Sequence, residues 1–261
     1  PYEWGAIGER ITTSAGNAIR KAAADAREQV LELASQMMEV KKEDLTVRDR
    51  RIVVKDAPQG GISLAEVSNA AHTRFGGPIV GRGSYAIQMP LAGDTETGQL
   101  RGVSPSWKYG AHAAEVEVDP ETGQVTVVKF VAAHDYGQAI NPTLAEGQIE
   151  GGVGMGISCA LTEEVIFDQG RVVNPSLMDY RILTSADMPP IESHIVEVPL
   201  PEGPFGAKGG GEPSFIAVAP AIANAIYDAV GVRIRELPIT PEKVLQALEE
   251  TARLARFQLS F

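Results

Sequence analysis

One stretch limits what this chain can become more than any other: Gly206-Ala207-Lys208-Gly209-Gly210-Gly211-Glu212-Pro213-Ser214-Phe215. The run Gly209–Gly211 has no side chains, so backbone there can approach a ligand closely or take positive φ. Pro213 has a fixed φ and no N–H, which suits the first position of a helix. Glu212 then sits at the helix start, where free N–H groups and the helix dipole favour an ionised carboxylate. A small-residue helix is predicted from Ile216 to Val230, stopping at Gly231. A carboxylate held beside bare backbone can serve as a base toward a bound ligand. The simpler alternative is a plain helix cap after a loop. A phosphate-binding P-loop is excluded, because no Lys-Ser or Lys-Thr pair closes the run.

A second glycine-dense segment raises the same question. Gly147-Gln148-Ile149-Glu150-Gly151-Gly152-Val153-Gly154-Met155-Gly156 holds five glycines in ten residues. Each costs a helix about 1 kcal/mol relative to alanine. Such a helix persists only if something packs very close to its backbone, either another helix or a flat cofactor. Gln148 offers an amide that both donates and accepts, which suits the edge of a heterocycle.

The other stretches fall in order. Gly5 to Gly16 reads as a loop with a hydroxyl cluster at Thr12, Thr13 and Ser14, opening a helix to about Glu39. That loop is either an anion site at a helix N-terminus or a Ser/Thr cap. Ala18, Ala22, Ala26, Val30, Leu33 and Met37 make one apolar stripe on the helix. Hairpins are predicted at 45–54, 113–130 and 163–173, a capped helix from Ser63, extended chain over 79–89, and a strand at 191–198. Residues 90–105 form a loop or inter-lobe connection, so two lobes meeting near 90–110 are expected. His134 and Asp135 are neighbours on extended chain and point to opposite faces, so His134 reads as structural. Thr240-Pro241-Glu242 starts a C-terminal helix. Helices alternating with hairpins indicate an α+β fold, with mixed or antiparallel sheets and flanking helices.

Composition narrows the function. A formal charge of −11 over 261 residues disfavours wrapping nucleic acid. Cys159 is the single cysteine, so the chain makes no internal disulfide and no cysteine cage for zinc or an iron–sulfur cluster. A reducing, cytoplasmic setting is the expectation. No signal peptide is visible, and no apolar run is expected to reach a membrane span. The first residue is Pro1 rather than Met, and the chain reads as a piece of a longer subunit.

Taken together, several of these stretches resemble one family. Gly5 to Ala18, Tyr109 to Asp119, Ile140-Asn141-Pro142 through Gly147-Gln148-Ile149-Glu150-Gly151-Gly152, Asp179-Tyr180-Arg181, and Gly206 to Pro213 running on to Leu237-Pro238-Ile239-Thr240-Pro241-Glu242 occur in order over nearly the whole chain. They resemble the C-terminal part of the molybdenum-binding subunit of the xanthine dehydrogenase/aldehyde oxidase family of molybdenum hydroxylases. Many relatives have Ser-Arg where this chain has Glu9-Arg10.

The resemblance implies a fold of the molybdenum-cofactor-binding type across residues 1–261. It implies hydroxylation of an aldehyde or N-heterocycle with water-derived oxygen, Glu212 acting as base. Gln148 would approach the molybdopterin, with Gly147, Gly210 and Gly211 beside it. Thr12, Thr13, Ser14 and Gly16 would contact the pterin or its phosphate end. No side chain of this chain is expected to ligate the metal. Iron–sulfur clusters and FAD would sit on partner chains or domains, and the rest of the molybdenum subunit would complete the site. The isolated chain is then expected to be inactive, with an exposed interface that could self-associate. Two other readings stay open: a non-catalytic assembly domain, and a generic anion- or nucleotide-binding module.

Overall fold

The computed structural model describes residues 5–87, 92–94, 96–101, 104 and 106–258. Two compact units are present, one formed by residues 1–10 with 104–261 and the other by residues 11–103. Both combine helices with small sheets, as the α+β reading expects.

The 11–103 unit is built on the long helix α1 (Arg10–Met38). A three-stranded antiparallel sheet follows: β1 (Leu45–Arg48), β2 (Arg51–Val54) and β3 (Ala57–Ser63). Asp49 and Arg50 both take positive φ (48° and 61°), the twist that a two-residue hairpin turn requires. The third strand is missing from the sequence reading, because 57–63 is polar and lacks alternation. Helix α2 (Leu64–Arg74) opens on a complete capping box between Ser63 and Glu66. Leu31, Ala34, Leu45, Ile52 and Val67 form the core.

The expected extended chain over 79–89 pairs with no strand over its described part, 79–87. It runs along α1 instead. Asp25 accepts from the Arg82 N–H at 2.8 Å, and Gln29 donates to the Val80 carbonyl at 3.0 Å. A Cβ at Gly81 or Gly83 would stand 2.1 Å and 2.3 Å from carbonyl oxygens of α1, so glycine permits this contact. Two short strands, β4 (Ala92–Gly93) and β5 (Leu100–Arg101), pair within the predicted 90–105 loop.

The second unit centres on a mixed sheet with strand order β10-β7-β6. Here β6 is Gly110–Val118, β7 is Val125–Asp135 and β10 is Ile191–Val196. Strands β6 and β7 are the antiparallel hairpin that the sequence predicts, and β10 joins β7 in parallel. Helix α3 (Pro142–Leu161) packs against β7 and β10, and α5 (Val218–Val230) against β6. The core joins Phe130 and Ala132 to Ile149, Val153 and Ile157 of α3 and to Val218, Ile222 and Ile226 of α5. The hairpin β8 (Phe167–Asp168) and β9 (Arg171–Val172) and the C-terminal helix α6 (Pro241–Gln258) complete the unit.

A β-bulge sets the inward face of β7. Glu115 pairs with Lys129 but Val116 pairs with Val127, leaving Val128 unpaired. Val125 and Val127 are therefore buried before it, and Phe130, Ala132 and His134 after it. One inserted residue changes which parity faces the core.

The single helix predicted over 216–230 is corrected to two. Short α4 (Pro213–Ile216) and α5 are separated at Ala217 (φ −90°, ψ 2°). Pro220 is the cause. It has no N–H to donate to the Ile216 carbonyl, and its ring clashes there in a continuous helix. Gly231 ends α5 in the left-handed conformation (φ 72°), as the sequence suggests. Pro213–Val230 is 18 residues and apolar enough, by length and composition alone, to cross a membrane. Val218, Ile222 and Ile226 from this stretch lie fully buried in the protein core.

The glycines of α3 divide by face. A Cβ at Gly152 would lie 2.6 Å from Ser214 Cβ, and one at Gly156 would lie 2.6 Å from Val218 Cβ. At Gly147 and Gly151 a Cβ would meet nothing within 4 Å. Gly147→Ala is expected to stabilise the fold by up to about 1 kcal/mol through helix propensity. Gly152→Ala is expected to destabilise it by about 1–3 kcal/mol through overpacking. Chemical denaturation of the two variants checks this, and equal effects would contradict the division of faces.

Candidate functional site

Helix α3 presents Gln148, Gly151, Gly152 and Met155 at successive three- and four-residue spacings, hence on one face. Opposite stand Gly211, Glu212, Phe215 and Ile216, from the glycine loop and α4. These eight residues line an open cavity of about 750 Å³. The packing of Gly152 onto Ser214 brings the two walls this close.

Glu212 is the residue before α4, with Pro213 in the first helical position. Its side chain makes no capping hydrogen bond. The plain-cap alternative therefore lacks its defining contact. Glu212 and Gln148 are both exposed to solvent on the cavity side. Gln148 Oε1 lies against Gly211, where a Cβ would stand 3.3 Å away.

The loop itself is held from beneath. Gln138 N–H donates to the Gly206 carbonyl and Lys208 N–H to the Tyr136 carbonyl, both at 2.9 Å. The Tyr136 hydroxyl donates to the Gly210 carbonyl at 2.9 Å. Burial, above all, pushes that hydroxyl up to about 12, so it stays a donor. Gly211 N–H donates to Glu9 Oε1. The Lys208 ammonium pairs with Asp135 and also donates to the Trp107 carbonyl at 3.2 Å. The two side chains of that pair are 9% and 5% exposed, so this is a buried ion pair. Burial works to raise the Asp135 carboxyl, but bonds from Lys208, Gly137 N–H and Val198 N–H hold it below the usual carboxylate range.

Sequence reasoning placed nine residues at the site, and the structure distributes them unevenly. Glu212, Gln148 and Gly211 meet at the cavity. Gly210 turns away from it: a Cβ there would lie 2.0 Å from Tyr136 Cε1 and 2.3 Å from Lys108 Nζ. Its lack of a side chain serves this internal packing. Gly147 lies on an open surface of α3, outside the cavity lining. Thr12, Thr13, Ser14 and Gly16 belong to the other unit, and they are helical residues of α1. This corrects the loop expected over 5–16. The helix begins at Arg10, straight after Glu9 in left-handed conformation (φ 61°). Thr13 and Ser14 are buried.

Four residues beneath the loop escaped the sequence reading as site residues: Glu9, Lys108, Asp135 and Tyr136. The signals were the clustering of Asp135-Tyr136-Gly137 after a predicted strand and the departure at Glu9-Arg10.

His134 is fully buried and its Nε2 lies 2.7 Å from His112 Nε2. Asp135, its neighbour, is buried as well. Burial first, then the charges of His112 and Lys108, lower His134 to about 4. Burial lowers His112 as well. The folded protein thus refuses a proton on His134 that the unfolded chain takes up below its ordinary 6.5. Stability is expected to be lost as pH falls from 6.5 toward 4. Thermal unfolding across that window checks this, and His134→Gln should flatten the slope.

Among the described residues, no group of three or more His, Cys, Asp or Glu could hold a metal ion. What the cavity offers is different: an amide, a carboxylate, bare backbone at Gly151 and Gly211, and apolar walls. That donor set fits an organic cofactor edge or a flat substrate.

Comparison with known proteins settles the family. Residues 1–189 match the family described as molybdopterin cofactor-binding domain. The chain belongs to that family. It is 34% identical over 251 residues to the xanthine dehydrogenase molybdenum-binding subunit of Escherichia coli O157:H7, covering 94% of this chain and 31% of that one. It is 35% identical over 250 residues to the nicotine 6-hydroxylase large subunit of Paenarthrobacter nicotinovorans, covering 94% and 30%. The crystal structure of quinoline 2-oxidoreductase from Pseudomonas putida 86 superposes with a TM-score of 0.79 at 34% identity, covering 95% of this chain and 31% of that one. This molybdopterin cofactor-binding chain therefore spans less than a third of the length of these relatives.

Proposed function

We propose that this chain is part of a molybdenum hydroxylase that hydroxylates an aldehyde or an N-heterocycle with water-derived oxygen. The observation carrying the reading is the placement of Glu212 and Gln148 on facing walls of one cavity, with the Glu212 carboxylate free of any capping role. Glu212 acts as the base, taking the proton of the attacking oxygen on its carboxylate. Gln148 presents its amide to the molybdopterin, and Gly211 leaves room beside it. Thr12, Thr13, Ser14 and Gly16 form a further cofactor contact. The bound cofactor supplies the two-electron redox chemistry, and the protein supplies position and electrostatics. Phe215, Ile216 and Met155 give an apolar wall suited to a flat substrate.

The rest of the molybdenum subunit and separate iron–sulfur and flavin carriers complete the enzyme. Support comes from the single cysteine, which rules out a four-cysteine cluster in this chain, and from exposed Phe167, Leu177 and Met178. A cytoplasmic setting follows the same reducing-compartment logic.

The test is product analysis of the assembled enzyme in heavy-oxygen water, with an aldehyde and a quinoline-type heterocycle as substrates. The expected product carries one oxygen from water. Oxygen drawn from dioxygen would overturn the reading.

A further inference from the structure

Lys108 is a cation buried in an unfavourable place. Its Nζ is buried and has no hydrogen-bond partner among the described residues. It sits over the Tyr136 ring, 3.6 Å from the centroid, and packs against Gly210. Around it stand the Glu9 and Asp135 carboxylates, the Lys208 ammonium, His134 and the Tyr136 hydroxyl. Glu9 in turn accepts the Gly211 N–H, next to Glu212.

Burial lowers Lys108 to about 8, against the opposing pull of Glu9 and Asp135. The unfolded chain keeps this proton up to an ordinary lysine value of 10.5, so the charged form costs folding stability at neutral pH. Its nearest contacts, the Tyr136 ring and Gly210, lead to the glycine loop.

We propose that Lys108 is a positioning residue, whose buried ammonium on the Tyr136 ring and facing Glu9 fixes the Gly209–Gly211 backbone and so aims Glu212 into the cavity. The inference rests on the reading of Glu212 as base. Charge on Lys108 keeps Glu9 oriented toward the Gly211 N–H, and the cation–π contact keeps Tyr136 under Gly210. Loss of either lets the loop shift, and a small misplacement of a catalytic group costs rate steeply.

The test uses the assembled enzyme carrying Lys108→Met, which keeps the stem and removes the charge, and Lys108→Arg, which restores it. Three readouts are taken: amide hydrogen exchange of the 206–212 segment, thermal midpoint, and kcat with KM. For Lys108→Met we expect exchange of the loop to quicken about tenfold, as loss of a desolvated cation–π contact implies. The thermal midpoint should hold or rise, and kcat should fall about 10- to 100-fold with KM little changed. Lys108→Arg should recover part of the loss. In the unsubstituted enzyme, loop protection, measured against the base-catalysed intrinsic exchange rate at each pH, should also fall as pH rises through about 8, and this step should vanish in Lys108→Met. Unchanged loop exchange in Lys108→Met, or a fall in thermal midpoint matching the fall in kcat, would overturn the proposal. If Glu212→Gln left turnover intact, the base reading would fall, while the exchange data would still decide the role of Lys108.

Discussion

Glu212→Gln in the assembled enzyme is expected to lower kcat by about 10²–10⁴-fold, the usual share of a general base. Gln keeps the size and polarity of Glu but cannot take a proton at neutral pH. The structure makes this substitution unusually clean. Glu212 caps no helix, so removing its charge takes away no structural hydrogen bond at α4. Folding stability and molybdenum content should therefore match the parent enzyme, and KM should move little. Steady-state kinetics beside metal analysis on one preparation checks both halves. A loss of activity that followed a loss of molybdenum would assign Glu212 to cofactor retention instead.

Lys208→Met is expected to destabilise the protein by about 3–5 kcal/mol, because it leaves Asp135 buried without its counter-charge. For a protein of this size that is a fall of roughly 10 °C in thermal midpoint. Asp135 would keep two backbone donors, Gly137 N–H at 2.8 Å and Val198 N–H at 3.3 Å, but neither carries charge. The double variant Lys208→Met with Asp135→Asn removes both charges together. It should recover much of the loss, since a buried pair is costly to break singly and far less costly to replace. A double-mutant cycle by thermal unfolding measures this directly. Additive effects would show that the two side chains do not depend on each other.

The ends of local elements were readable in the sequence because their causes are local. Pro213 and Gly231 mark a helix start and a helix end through fixed φ and absent Cβ, and both stand where expected. Asn141-Pro142 opens α3 with local signals of the same kind, Asn141 accepting the Leu144 N–H at 3.1 Å. The paired glycine segments announced close packing, and Gly152 against Ser214 supplies it. What packs there is partly helix and partly open cavity, a division that spacing alone could not assign.

Features that depend on distant partners were not readable. Parallel pairing of β10 with β7 joins residues some sixty positions apart, as Ile191 with Phe130. The bulge at Val128 reverses the inward parity of β7, and the consecutive apolar residues Val127-Val128 and Phe130-Val131 leave either parity open in the sequence. Glu9 reaches Gly211 across 202 positions, and Lys108 reaches Gly210 across roughly half that separation. The Pro220 break was visible in principle, but the apolar small residues around it concealed it.

The most direct test of the proposed function is elemental analysis of the native complex that contains this chain. Molybdenum in proportion to the chain is the expected result, with substrate screening to follow. An intact native complex without molybdenum would contradict the hydroxylase reading and leave Glu212 as an unused carboxylate in an assembly domain.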